Sequence, residues 1–99
     1  MTSDARPSVA GPTRLVLRMA DVLAAGGAAY PMAGALATAV RGRQQLDRDA
    51  FAAQLGVRVD EVEAAEAGRT PLRQLPAPIA ERIPWLGVDL SALAADPAA

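Results

Sequence analysis

The 99 residues give one small domain's worth of chain, too short for two independent cores. Alanine supplies 24 of the apolar residues, leaving 27 larger apolar side chains, three of them aromatic (Tyr30, Phe51, Trp85), enough for one small core. Cysteine and histidine are absent, which removes disulfides, thiolate nucleophiles, the commonest zinc ligands and the usual neutral-pH base; no catalysis, cofactor or metal site is expected.

The ten basic residues are all arginine, set against eleven acids for a net charge of −1, so no global excess points to a polyanion. Abundant alanine and arginine without lysine fits a high-GC bacterial genome. The N-terminus shows no basic region followed by an apolar core and a small-residue cleavage site, and a cytoplasmic location is expected. The uncharged run from Val22 to Val40 has the nominal length of a membrane span. It is interrupted by Gly26, Gly27, Pro31 and Gly34 and is mostly alanine, so its transfer free energy is too small to favour a membrane.

Residues 1–11 and 96–99 carry almost no large apolar side chain and read as a disordered tail and a frayed end. Between them, helix-period segments alternate with Gly and Pro. The first runs from Thr13, as N-cap, to Ala25, with Leu15, Val16, Met19, Val22 and Leu23 on its inward stripe; Gly26 and Gly27 end it. Pro31 opens a second, whose Met32, Leu36 and Val40 recur every four residues until Gly42. Asp47 caps a third that buries Phe51, Ala52 and Leu55 before Gly56. The fourth spans Val59 to Ala67, with Val62 and Ala65 inward and Gly68 as its stop. From Leu75 to Leu86 an apolar face (Leu75, Ile79, Ile83, Leu86) is broken by prolines, and Pro84 divides it into two short helical pieces. A last helix is expected after Val88, with Asp89 as cap and Leu90 and Leu93 buried. No segment alternates with period two, so the fold class is all-α, a compact bundle of five to six short helices.

The informative stretch is Leu46 to Arg69. Ala52 lies four residues before Gly56, and Val57 and Val62 lie one and six residues beyond it. A small residue permits a close crossing, a glycine supplies a left-handed corner, and apolar residues lock the second helix on the first: the spacing of a helix-turn-helix.

Over Arg41 to Gly68 the chain resembles, without a gap, the Cro and phage-repressor type of helix-turn-helix, the bacterial family named for the xenobiotic response element. Leu55-Gly56-Val57 matches directly, Asp47 stands for a Ser cap and Phe51-Ala52 for Leu-Ala. The segment Trp85 to Leu93 is similar to the family's closing element. The resemblance implies a helix-turn-helix domain over residues 31–95 with an added N-terminal helix over 12–30. It implies an Arg41–Glu66 ion pair tying the first family helix to the recognition helix, and a phosphate contact from Arg48. It also implies DNA as partner, a homodimer reading two half-sites, and a recognition helix presenting Val59, Asp60, Glu61, Glu63 and Ala64 to base edges. Arg58, Arg69 and Arg73 flank that helix and are candidate backbone contacts.

The departures bear on function. From Arg58 to Glu66 there are four acids and one base, a local charge of −3, where the family places neutral polar or basic residues. Carboxylates near phosphates oppose binding, although Asp and Glu can accept a hydrogen bond from cytosine N4. Asp60 and Glu63 also read as a capping box, and Asp47 with Asp49 as first-turn acids complementing the helix dipole. Trp85 is assigned to the core, with an interface anchor as the alternative. The apolar stripe of the first helix is likewise core, with dimerisation as its alternative. The expected function is sequence-specific DNA-binding transcriptional regulation. The alternative is a protein-interaction adaptor whose acidic recognition helix docks on a basic partner.

Overall fold

A computed structural model describes residues 11–88, and all of its regular structure is helical. Helices α1 (Gly11–Ala25), α2 (Pro31–Gln44), α3 (Arg48–Leu55), α4 (Val59–Glu66) and α5 (Ala77–Ala80) follow in chain order, with 3-10 turns at Leu72–Gln74 and Ile83–Leu86. The tail before residue 11, the frayed end at 96–99, and the last helix with Asp89, Leu90 and Leu93 lie outside the described residues.

Helix α2 is the centre of the bundle. Its sequence is apolar or small nearly all round, and every residue from Met32 to Ala37, together with Val40, is buried. Such a helix has no side to give to water. Pro31 opens it at a position whose missing N–H would be unpaired in any case. Phe51 and Ala52 from α3, Val62 and Ala65 from α4, and Leu75, Ile79, Ile83 and Leu86 from the proline-rich stretch complete the core. Pro84 stands in the first turn of its 3-10 segment, where it costs no hydrogen bond, so the prolines give two short pieces joined at Glu81 and Arg82.

Three expectations are corrected. Helix α1 is described from Gly11 onward, and Thr13 is buried inside it instead of capping it. The inward stripe of α1 is Thr13, Val16 and Ala20, whereas Leu15 and Val22 are exposed (56% and 72%). Leu17, Met19 and Leu23 are half-buried beside this stripe, with Leu17 and Met19 packed against the core and Leu23 reaching Gly34 of α2. Helix α2 passes through Gly42 and stops at Gln44, with Gln45 taking the left-handed conformation (φ 57°). Arg41 and Arg43 complement the helix dipole in that last turn. The third correction concerns Trp85, which is 76% exposed and not in the core. Ile83 and Leu86 on the same turn take the inward positions.

Gly34 marks the closest approach in the bundle. A Cβ there would lie 2.8 Å from Leu23 Cδ1, 2.9 Å from the Gly68 nitrogen and 3.0 Å from the Glu66 carbonyl oxygen. The end of α4 is sewn to the α1–α2 turn at the same place, where Tyr30 N–H donates to the Gly68 carbonyl at 2.9 Å. Gly68 has φ +76° and would place a Cβ 2.8 Å from that of Ala28.

The same substitution at two glycines of α2 is therefore expected to act with opposite sign. Gly34→Ala forces backbone apart and should cost about 1–3 kcal/mol. Gly42→Ala meets nothing within 4 Å and should stabilise by about 0.5–1 kcal/mol through lower unfolded-state entropy. Urea unfolding of the two variants measures both; a loss at Gly42 would refute the helical assignment of that residue.

Candidate nucleic-acid interface

Asp47 starts α3 by accepting the Ala50 N–H on its Oδ1 at 2.8 Å, in the extended conformation of an N-cap. The helix ends at Gly56, whose φ of +71° places it in the left-handed region, and Val57 N–H returns to the Ala52 carbonyl at 3.0 Å. After this corner α4 begins at once. It crosses α3 on Val62 and Ala65, both fully buried. The opposite side of α4 is open: Val59, Asp60, Glu61 and Glu63 are exposed and Ala64 is half-buried.

The cap of α4 differs from the Asp60 and Glu63 capping box read from the sequence. Arg58 is the N-cap, and its backbone N–H donates to Glu61 Oε1 at 2.9 Å. Asp60 instead binds the Arg58 guanidinium, Nη2 to Oδ2 at 2.7 Å, and Glu63 is exposed. The register moves back because the corner leaves the Arg58 N–H as the unsatisfied donor three residues before Glu61. Both members of the Arg58–Asp60 pair are largely exposed, so its contribution is small.

Beneath this surface lies a buried carboxylate bonded to two arginines. The Glu66 carboxylate is 1% exposed and is held from two helices. Arg41 of α2 donates from Nε to Oε2 at 2.7 Å and from Nη2 to Oε1 at 3.1 Å, in bidentate fashion. Arg48 of α3 donates from Nε to Oε1 at 3.1 Å. The remaining arm of Arg41, Nη1, donates to the Leu46 carbonyl at 2.8 Å and fixes the α2–α3 turn. The Arg41 guanidinium holds its proton more tightly than a free arginine. Its hydrogen bonds to Glu66 are the main cause; partial burial opposes them, and the Glu66 and Asp47 charges add to them. Its stabilising effect is fully present below the ordinary arginine value and is lost only as pH rises through the raised one.

The structure thus brings Arg41, Arg48 and Glu66 into one cluster. Val59, Asp60, Glu61 and Glu63 share one exposed helix, with Ala64 at its edge. Arg69 and Arg73 are exposed beyond the C-terminus of α4, Arg73 within the 3-10 turn that follows. What sequence reasoning missed is the partner of Arg48: a residue placed outward for phosphate also closes the coordination of a buried acid. No periodicity signals a pairing across 18 positions. Among the described residues no group of three or more acids, histidines or cysteines is placed to hold a metal ion, and no helix is long and apolar enough to cross a membrane.

Comparison with protein-family models, curated proteins and solved structures gives no match to this chain.

Removing the acid should be far more damaging than removing its outer partner. Glu66→Leu leaves the partly buried Arg41 guanidinium without its hydrogen-bonded counter-charge and is expected to cost about 2–4 kcal/mol. Arg48→Ala leaves the bidentate pair intact and, its side chain being half-exposed, should cost less than about 1 kcal/mol. Chemical denaturation of both variants checks the order, and equal losses would contradict it.

Proposed function

We propose that the protein is a DNA-binding transcriptional regulator of the helix-turn-helix type, with α4 as the helix that enters the major groove. One observation carries the reading: α4 is fixed to the domain wholly by its inner side, through Val62, Ala65 and the Glu66 cluster, and offers its outer side to solvent right after a glycine corner. A helix held in this way is a rigid probe of about the length that fits across a major groove. Around it stand four exposed arginines, Arg48, Arg58, Arg69 and Arg73, against the three exposed acids Asp60, Glu61 and Glu63. The arginines suit phosphate and fix register. Asp60 and Glu63 suit the amino group of cytosine, and Val59 suits a thymine methyl.

A second reading is favoured by a separate observation. Arg58 already pairs with Asp60 and Arg48 with Glu66, so the acids of α4 face fewer uncommitted cations than the composition suggests. On that reading α4 docks on a basic protein partner, and the fold serves as an adaptor.

Fluorescence anisotropy with a pool of genomic DNA fragments at low and moderate salt separates the two. On the DNA reading the chain retains fragments. Arg69→Ala then weakens binding evenly across them and lowers the slope of log affinity against log salt by about 1, as loss of one phosphate contact requires. Glu63→Ala instead changes which fragments are retained. If no fragment binds at low salt, the DNA reading fails; capture of a basic protein by the wild type but not by Glu63→Lys then supports the adaptor.

A further inference from the structure

Trp85 is the most exposed large apolar side chain among the described residues, and the roles given to α4 leave it unused. Its indole edges an open groove of about 370 Å³ lined by Val40, Arg43, Gln44, Arg82, Trp85 and Leu86. Val40 and Leu86 belong to the core and give the groove an apolar floor. Two of the rim side chains come from one hydrogen-bonded turn. Trp85 N–H donates to the Arg82 carbonyl at 3.1 Å, and Arg82 Nη1 donates to the Pro78 carbonyl at 2.7 Å.

The polar side chains of the groove are donors. Arg43 is exposed in the last turn of α2, and among the described residues neither it nor Arg82 pairs with a carboxylate. The bond to Pro78 uses one N–H of Arg82 and leaves the rest of its fork to other acceptors. Gln44 Oε1 accepts from Gln54 Nε2 at 3.1 Å, which leaves the Gln44 amide nitrogen as the group offered to a further partner. Among the described residues no carboxylate lines the groove; Glu81, next to Arg82 in the chain, is exposed outside it. A site that offers N–H groups around an apolar floor is complementary to a ligand carrying carboxylates on either side of an aliphatic group.

The geometry points to a docking site for an acidic peptide segment of another protein. An aliphatic side chain of that segment sits on Val40 and Leu86, its backbone crosses the Trp85 indole, and its carboxylates meet Arg43 and Arg82. Tryptophan and arginine are the side chains that most often anchor such contacts. A single-stranded nucleic acid suits the groove less well, because it needs a succession of aromatic platforms along a basic track. Here the indole stands alone: Phe51 is buried, and Tyr30 precedes α2 at the opposite end of that helix from Arg43. The chain's own acidic segment after residue 88 also starts elsewhere. Val88 lines the neighbouring groove, with Leu15 and Met19 of α1, and not this one. The inference does not rest on the DNA reading, since no lining residue belongs to α4 or to the arginines proposed for phosphate.

Trp85 is the sole tryptophan of the sequence, so the intrinsic fluorescence of the full chain reports on this groove directly. The probe is the peptide acetyl-Asp-Glu-Leu-Glu-Asp-amide, with a second peptide in which lysine replaces each acid. The acidic peptide is expected to shift the Trp85 emission saturably below millimolar concentration, and the lysine peptide to leave it unchanged. Arg43→Glu, an exposed change that should not alter the circular dichroism, is expected to weaken binding of the acidic peptide roughly tenfold or more. Serine in place of the peptide's leucine should weaken it roughly fivefold or more. No saturable shift, an equal response to both peptides, or binding indifferent to Arg43→Glu or to the leucine overturns the inference. An oligothymidylate that displaces the peptide overturns it in favour of nucleic acid. A rise in acrylamide quenching of Trp85 when Asp89→Asn and Asp96→Asn are made together overturns it too, and gives the groove to the chain's own terminal segment.

Discussion

The Glu66 carboxylate fixes the geometry of the candidate site. It is the last residue of α4, it is buried, and its oxygens are answered by arginines from α2 and α3. A buried charge is tolerated only where its partners are in place, so any rotation of α4 about its axis, or slide along α3, would strand it. Apolar contacts do not set position so sharply: Val62 and Ala65 would remain buried through small displacements, since neither contact is directional. The core supplies the driving force and the cluster supplies the orientation. Arg41 extends this control backwards, because the same guanidinium also clamps the Leu46 carbonyl and so determines where α3 begins.

Close packing at Gly34 complements the cluster from the other side. There α2 touches the Leu23 side chain of α1 and the backbone at the end of α4 together, so one position without a side chain lets three helices meet. The Tyr30 to Gly68 hydrogen bond closes the same junction. Polar specificity at one end of α4 and a steric fit just beyond it leave the helix with a single seat, while its first turn, Val59 to Glu61, is free of the core.

How far the sequence discloses this depends on whether the determinant is local. The Asp47 cap, the Gly56 corner and the Gly68 stop were legible because each is a rule about a residue and its near neighbours. The buried faces of α4 and of the 75–86 stretch were legible because periodicity reports burial when one side of a helix is clearly apolar; in α2 it found Met32, Leu36 and Val40 but not the burial of the small residues between them. Helix α1 misleads for the converse reason. It carries apolar residues over a wide arc, so periodicity cannot say which of them turn inward: Thr13, Val16 and Ala20 are buried, whereas Leu15 and Val22 are exposed. Trp85 was misplaced because its size suggests the core, whereas a 3-10 turn with Ile83 and Leu86 inward has no further inward position to offer. The partnership of Arg48 with Glu66 is a tertiary fact with no local signature, and it alters the site by engaging a cation that composition alone would assign to solvent.

Net charge conceals this division of labour. Of the ten arginines, Arg41 and Arg48 hold Glu66, Arg58 holds Asp60, and Arg82 donates to the Pro78 carbonyl at 2.7 Å. Each such bond fixes the head of a long side chain and lowers its attraction for an external anion. On the proposed reading, a polyanion at α4 would therefore meet cations that are partly engaged already, Arg48 and Arg58 among them, and counterion release would contribute less than the number of arginines suggests. Whatever selectivity α4 has must then come from the side chains on its own first two turns, Val59, Asp60, Glu61 and Glu63. Three of these are carboxylates, which penalise a wrong neighbour more heavily than they reward a right one: an unpaired carboxylate in a closed interface retains its full desolvation cost. On the proposed reading, an acidic recognition helix on a nearly neutral domain would discriminate among partners more than it would adhere to them.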